Sequence, residues 1–229
     1  MNLYFLVEGK QTERKVYPKW LSVLASQFTQ VAYANDATDN NFYLVSGEGY
    51  PSLLHHLENA IKEVNAIGRY DYLVVCLDAE ENTVDERKTA IADYLATKGV
   101  RLKRGELIVI VQNPCFETWF LGNRKIFKRN PQDEELKKFI DFYNVQIDDP
   151  ERMPAMNQAQ TRAQFHHSYL KKMLAERNAV YTKQRPDAVC DKTFLDELIA
   201  RNSETEHISS FKDFLDFCNY LNAKSLFRS

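Results

Sequence analysis

LYFLVEGKQTE, residues 3–13, joins a short apolar run to a charged segment through Glu8 and Gly9. The run Leu3–Val7 is rich in aromatic and branched residues, which predicts a buried strand. The segment Lys10–Phe28 then repeats apolar residues at helical spacing, which predicts a helix. A carboxylate therefore stands at the carboxyl end of a strand, which is where α/β proteins build their sites.

The same alternation of strand and helix continues through the first half of the chain. Apolar runs at Phe42–Val45, Tyr72–Leu77 and Glu106–Val111 predict three more strands, with helices starting near Pro51 and covering Val84–Thr97. Strands that alternate with helices favour right-handed crossovers and a mostly parallel sheet. The predicted fold class is α/β, with about four strands flanked by helices.

The second half has helical periodicity without strong strand signals. We therefore predict two domains, a strand-containing domain over residues 1–129 and a helical extension over residues 130–229 that packs on it. Residues 148–154, which contain two prolines, are the best candidate for a linker. The predicted helices of the extension are Glu134–Tyr143, Gln158–Glu176 and Phe194–Arg201.

Composition excludes several classes of protein. The 229 residues include only seven glycines and seven prolines, which argues against disorder, and 30 basic residues nearly balance 32 acidic ones. A nucleic-acid partner would therefore need a local basic face or bound cations.

Four widely spaced cysteines match no metal motif and are expected to be buried thiols in a reducing compartment. Since no apolar run could span a membrane, we expect a cytoplasmic protein with no membrane partner.

Acids follow three of the predicted strands. Glu8 follows the first, Asp78 and Glu80 follow the third, and Glu117 comes just past the fourth. Because the carboxyl ends of parallel strands share one edge of a sheet, these acids are expected to converge and to bind Mg²⁺ or Mn²⁺. Such a site suits phosphoryl transfer. The alternative is that each acid caps the helix after it.

These motifs resemble those of a known family. LVEGKQTE, followed by a strand that ends in Asp78-Ala79-Glu80, resembles the TOPRIM domain of topoisomerases, primases and overcoming-lysogenization-defect nucleases. NPCFETWFL, residues 113–121, is similar to a segment of the small RloB-like TOPRIM proteins of bacterial defence loci. Tyr181-Thr182-Lys183 is similar to a tyrosine and lysine found before a helical tail in related families. The resemblance covers about residues 1–125 well and the tail loosely.

The resemblance implies a TOPRIM-like Rossmannoid fold and a role for each matching residue. Glu8 would be a general acid/base or a metal ligand, Asp78 the first metal ligand, and Glu80 the second acid of an Asp-x-Asp motif. Glu80 departs from the usual aspartate, which puts the second metal position in doubt. Glu117 would be a further acid near the metal, and Lys183 would stabilise negative charge at the phosphate.

The implied function is that of a divalent-metal-dependent nuclease that cleaves or nicks DNA or RNA. The resemblance also implies a role in antiviral defence beside an ATPase partner, and it leaves a homodimer open. Two alternatives remain: a non-catalytic nucleic-acid-binding or regulatory subunit, and a small-molecule phosphotransferase on a generic doubly wound sheet.

Other residues have simpler interpretations. Lys10, Lys125, Lys128 and Arg129 are candidate phosphate contacts, although most basic residues of helices face solvent. The neighbouring pairs His55-His56 and His166-His167 point about 100° apart on a helix, so each pair would chelate one ion poorly. Aromatic residues at helical spacing favour a buried core over a base-stacking surface, and here they are Trp119, Phe120, Phe139, Phe142 and Tyr143.

Overall fold

The computed structural model describes residues 1–226. The strands are β1 (Leu3–Val7), β2 (Thr29–Gln30), β3 (Asn41–Ser46), β4 (Tyr72–Asp78) and β5 (Glu106–Gln112). The helices are α1 (Thr12–Leu24), α2 (Ser52–Ile67), α3 (Val84–Lys98), α4 (Phe116–Leu121), α5 (Glu134–Phe142), α6 (Arg162–Ala175), α7 (Asp187–Cys190), α8 (Lys192–Thr205) and α9 (Ser209–Leu226).

The strands form one parallel sheet in the order β2-β3-β1-β4-β5. This confirms the predicted α/β class, but the sheet has five strands rather than four. The additional strand, β2, consists of two exposed residues, which is too short for a periodicity in the sequence to reveal. The register is set at β1, where Leu3 pairs with Phe42 on one side and with Tyr72 on the other.

The direction of strand addition reverses at β1, as in doubly wound sheets. Right-handed crossovers then place α1 on one face of the sheet and α2 and α3 on the other. On the α1 face, Phe214 of α9 packs against Tyr17 of α1, with ring centroids 5.2 Å apart, and against Trp20. All three side chains are fully buried, so α9 covers the apolar stripe that α1 presents.

The chain divides into two compact units. The sheet unit comprises residues 1–77, 84–111 and 213–226, and the helical unit comprises residues 78–83 and 112–212. These differ from the predicted domains, because the division falls near residue 112 rather than 129. The physical reason is α4, whose Trp119 and Phe120 are fully buried against Phe211 and Phe194 of the helical unit.

The predicted linker at residues 148–154 is instead a structured part of the helical unit. It contains a 3₁₀ turn, Pro150–Arg152, in which Pro150 and Glu151 are buried. The Glu151 carboxylate accepts hydrogen bonds from the Ser210 amide at 2.9 Å and from the Ser209 hydroxyl at 2.9 Å. A segment held by buried bonds of this kind cannot act as a flexible connection.

Several burial predictions are confirmed. Cys76, Cys115 and Cys218 are buried, and Trp119, Phe120 and Phe139 belong to the core. The prediction is wrong for Cys190, which is only half-buried at the end of the short helix α7. Phe142 is 40% exposed, so the aromatic stripe is only partly internal. Among residues 1–226, no helix combines the length and the apolar character needed to cross a membrane.

Candidate functional site

Glu8 lies in the sheet unit, directly after β1. Its amide donates to the Cys76 carbonyl at 2.9 Å, which continues the ladder with β4 by one residue. Its carboxylate Oε1 accepts a hydrogen bond from the Tyr50 amide at 3.1 Å, and its carbonyl accepts from the Gly49 amide at 3.0 Å. Glu8 therefore fixes the loop between β3 and α2.

Gly9 is required by a neighbouring carboxylate. The Gly9 amide donates to Glu13 Oε1 at 2.8 Å, and a Cβ atom on Gly9 would lie 2.0 Å from Glu13 Oε2. Real Cβ atoms never approach oxygen so closely, so no side chain fits at residue 9 while Glu13 keeps this position. The second glutamate of LVEGKQTE is thus a buried structural acceptor, a role that the sequence analysis did not anticipate.

Asp78 is the last residue of β4 and belongs to the helical unit. Its Oδ1 accepts a hydrogen bond from the Phe116 amide at 3.0 Å, at the first residue of α4. The neighbouring Glu80 amide donates to the Pro114 carbonyl at 2.8 Å. Asp78 therefore does cap a helix, as the alternative interpretation holds, but it caps α4 rather than α3, the next helix along the chain.

Glu80 is exposed and has a left-handed backbone, with φ of 54°. A residue with a Cβ atom is strained by about 1 kcal/mol or more in this region. The turn aims Glu80 outward while its backbone stays tied to Pro114. Strain of this kind is frequent at functional sites, and here it falls on the second acid of the motif.

Glu117 is the best-connected acid of the helical unit. It is 4% exposed, and its Oε1 accepts hydrogen bonds from His167 Nδ1 at 3.1 Å and from the Tyr181 hydroxyl at 3.1 Å. Burial pushes the pKa of Glu117 upward, but the hydrogen bond from His167 and the positive charge of Lys183 outweigh it, so the pKa lies below the ordinary 4.5. Glu117 is therefore a buried, ionised carboxylate at neutral pH.

Charges link three of the predicted residues. Burial raises the pKa of the Cys115 thiol, and the carboxylates of Glu117 and Asp78 raise it further. Lys183, an exposed side chain, in turn lowers the pKa of Glu117. Around α4, the Cys115 thiol is therefore within electrostatic reach of Asp78 and of Glu117, and Glu117 is within electrostatic reach of Lys183. Glu8 belongs to the other unit, and its convergence with these residues stays a prediction.

The adjacent histidines of α6 have different surroundings. His166 is fully buried, with Nδ1 2.8 Å from the Thr118 hydroxyl and Nε2 3.0 Å from the Met153 carbonyl, so it is a core residue. His167 is 31% exposed and bonds to Glu117. From the sequence alone, His166 and His167 are only a neighbouring pair that would chelate one ion poorly. No local pattern could have revealed the contact of His167, because its partner lies 50 residues away.

The donors suit a hard divalent cation, although they form no preassembled cage. Within residues 1–226, no cluster of three or more His, Cys, Asp and Glu side chains is arranged to hold a metal ion. Asp78 is half-buried and Glu80 exposed, and both supply carboxylate oxygen. Mg²⁺ commonly binds through one or two carboxylates and completes its shell with water and substrate phosphate, so this donor set fits Mg²⁺ or Mn²⁺.

Three of the four predicted phosphate contacts form ion pairs. Lys10 lies 3.1 Å from Glu48, Lys125 3.3 Å from Glu197, and Lys128 2.7 Å from Glu176. Arg129 is exposed. These pairs reduce the positive potential available to a polyanion. Only the pair of Lys10 and Glu48 is exposed on both sides, and since exposed ion pairs are worth little, a phosphate could replace Glu48 there.

Comparison with protein-family models, with curated proteins and with solved structures found no match. The class is therefore defined by the fold alone. It is a doubly wound, parallel α/β sheet with a helical unit.

Proposed function

We propose that this protein is a divalent-metal-dependent phosphodiesterase of TOPRIM type, a nuclease that acts on DNA or RNA. One observation carries the proposal: around the segment Asn113–Leu121, the Cys115 thiol is affected by the charges of Asp78 and Glu117, and Glu117 is affected by the charge of Lys183. Acids beside a lysine can serve both sides of phosphoryl transfer, since the acids hold a cation and the lysine meets the charge of the phosphate.

Asp78 and Glu80 are the residues that would hold Mg²⁺ or Mn²⁺. When bound, the ion would polarise the scissile phosphate and stabilise the leaving oxygen. Lys183 is exposed and can approach a phosphate oxygen from solvent. The hydrogen bond from the Phe116 amide fixes one oxygen of Asp78, so the orientation of this carboxylate is set before substrate binds. Glu8 is proposed as an additional acid/base or metal ligand on the evidence of its motif.

The biological setting follows from the resemblance alone. An antiviral defence role, a cytoplasmic location and control by an ATPase partner are part of the proposal for that reason. A second candidate function, a non-catalytic nucleic-acid-binding or regulatory subunit, is favoured by Glu80 in place of the usual second aspartate and by the lack, within residues 1–226, of a preassembled group of metal ligands. A binding subunit would retain nucleic acid without cleaving it, which makes the two functions separable.

The test is a cleavage assay on plasmid, single-stranded DNA and tRNA. Purified protein is incubated with each polymer in Mg²⁺, Mn²⁺ or EDTA, with Glu8→Ala and Asp78→Ala in parallel, and products are resolved on denaturing gels. We expect cleavage that requires the metal and is lost in Asp78→Ala. Gel-shift binding without cleavage would support the regulatory subunit instead. Equal activity in wild type and both variants would contradict the nuclease assignment.

A partner that restrains or activates the nuclease is tested by repeating the same assay with a candidate ATPase added. Activity that appears only with the partner would mean that this chain carries out the cleavage and that the ATPase regulates it. The Asp78→Ala variant must then be silent in the presence of the partner as well.

A further inference from the structure

His167 has the geometry of an oriented imidazole. Its ring is half-buried, Nδ1 faces Glu117, and the ring centroid lies 5.7 Å from that of Tyr181. Within residues 1–226, Nε2 has no hydrogen-bond partner. The side chain is 31% exposed and is therefore accessible to solvent in part. In contrast, both nitrogens of His166 are occupied in the core.

The position of the proton on His167 follows from its partner. Glu117 is ionised and can only accept hydrogen bonds, and the Tyr181 hydroxyl already donates to the same oxygen. Nδ1 of His167 must therefore be the donor, and in the tautomer that donates from Nδ1 the lone pair lies on Nε2. His166 has the opposite arrangement, because its Nε2 faces the acceptor-only carbonyl of Met153.

Glu117 is itself held in place. Two donors converge on Oε1, and the carboxylate is almost entirely buried. A buried carboxylate that fixes the tautomer and angle of a histidine is a recurring device for positioning a proton acceptor. The charged groups facing His167 are Glu117 from α4 and, acting on the same carboxylate, Lys183 from the segment that also contains Tyr181.

We propose that His167 is the proton acceptor of the phosphodiester hydrolysis and that Glu117 is its positioning residue rather than a metal ligand. This inference rests on the proposed function. Nε2 accepts a hydrogen bond from the attacking water and takes one proton from it. The water oxygen then bonds to phosphorus while the bond from phosphorus to the leaving sugar oxygen breaks. The leaving oxygen receives a proton from solvent, so one water is consumed for each bond cleaved.

The first measurement does not depend on activity. Two-bond ¹H–¹⁵N correlation spectra of the histidine rings at neutral pH report which nitrogen carries the proton, and His167→Gln assigns the signal. We expect a protonated Nδ1 and an unprotonated Nε2 for His167, and the reverse for His166. In Glu117→Gln, the fixed tautomer of His167 should give way to a mixture. A wild-type His167 that is protonated on Nε2 alone would overturn the positioning by Glu117.

The second measurement is kinetic and uses whichever polymer the wild type cleaves. Since general acid–base catalysis contributes about 100-fold to 10,000-fold, His167→Ala should reduce kcat by at least about 100-fold. Free imidazole added to the buffer should restore part of that rate. His167→Gln serves as a second variant, because its amide can still donate to Glu117 but accepts no proton. His55→Ala, at an exposed histidine of α2, is the matched control and should cleave like the wild type.

The outcomes separate the two proposals. A wild type that cleaves and a His167→Ala variant of equal rate would overturn the role of His167 while the nuclease assignment stands. Loss of rate without imidazole rescue, in a variant with a native spectrum, would also overturn it, because a purely structural role predicts that result. A wild type that cleaves no polymer under any condition would overturn both proposals.

Discussion

Acidification should destabilise the helical unit through His166. Burial, the largest cause, lowers the pKa of this imidazole from 6.5 to about 4 in the folded protein. As the pH falls, the unfolded chain therefore takes up its proton first. The contribution of the neutral His166 to the free energy of unfolding is fully present above pH 6.5 and is lost as the pH falls toward the folded-state pKa. Linkage between these two pKa values gives a loss of about 2 kcal/mol at pH 5 and of about 3 kcal/mol below pH 4.

The assay compares urea unfolding of wild type and His166→Gln at pH 7 and pH 5, followed by circular dichroism. Gln keeps an acceptor for the Thr118 hydroxyl and a donor for the Met153 carbonyl, but it does not titrate. The variant is expected to be less stable at pH 7. Its deficit should shrink by about 2 kcal/mol at pH 5. Contributions of the other titrating groups are common to both proteins and cancel in this difference. Parallel pH dependence in the two proteins would refute the assignment of His166 as a buried neutral residue.

Two further predictions concern the backbone at the motifs. Glu80→Gly should raise the free energy of unfolding by up to about 1 kcal/mol, because it relieves the left-handed strain, and it should slow cleavage if Glu80 binds the ion. Glu206→Gly, at the left-handed cap of α8, should stabilise the protein similarly without any effect on cleavage. Gly9→Ala should destabilise the protein by about 1–3 kcal/mol, since its Cβ atom would overlap the Glu13 carboxylate. In a Glu13→Ala background that cost should fall sharply, and a double-mutant cycle by thermal unfolding measures the difference.

The architecture of the first half could be predicted from the sequence because its signals are local. β1 is an unbroken apolar run, and β4 has the continuous apolar character expected of a strand that is covered on both faces. β2 could not be predicted because two exposed residues are too few to show a periodicity. The boundary between the two units could not be predicted for a different reason. α4 follows the last strand directly, and its sequence does not reveal whether its aromatic side chains pack on the sheet or on later helices.

The candidate site was predictable only in part, for similar reasons. Asp78, Glu117 and Lys183 could be singled out from strand ends and from motifs, and the structure shows an electrostatic effect of Lys183 on Glu117. His167 could not be identified, since its significance depends on a hydrogen bond across 50 residues. The basic residues illustrate the opposite error. Lys125 and Lys128 look available in the sequence, but the glutamates of α8 and of the turn after α6 occupy them.

Asp78 is central to the proposed metal-dependent phosphodiesterase. The most direct measurement is the initial rate at which wild type, Asp78→Asn and Asp93→Asn cleave a labelled single-stranded oligonucleotide in Mn²⁺. Asp93 is an exposed residue of α3, so the control makes the same chemical change away from the site. We predict that Asp78→Asn cleaves at least about 100-fold more slowly than the wild type and that Asp93→Asn cleaves at the wild-type rate. EDTA should abolish cleavage by all three proteins. Equal rates for Asp78→Asn and the wild type would contradict the proposal.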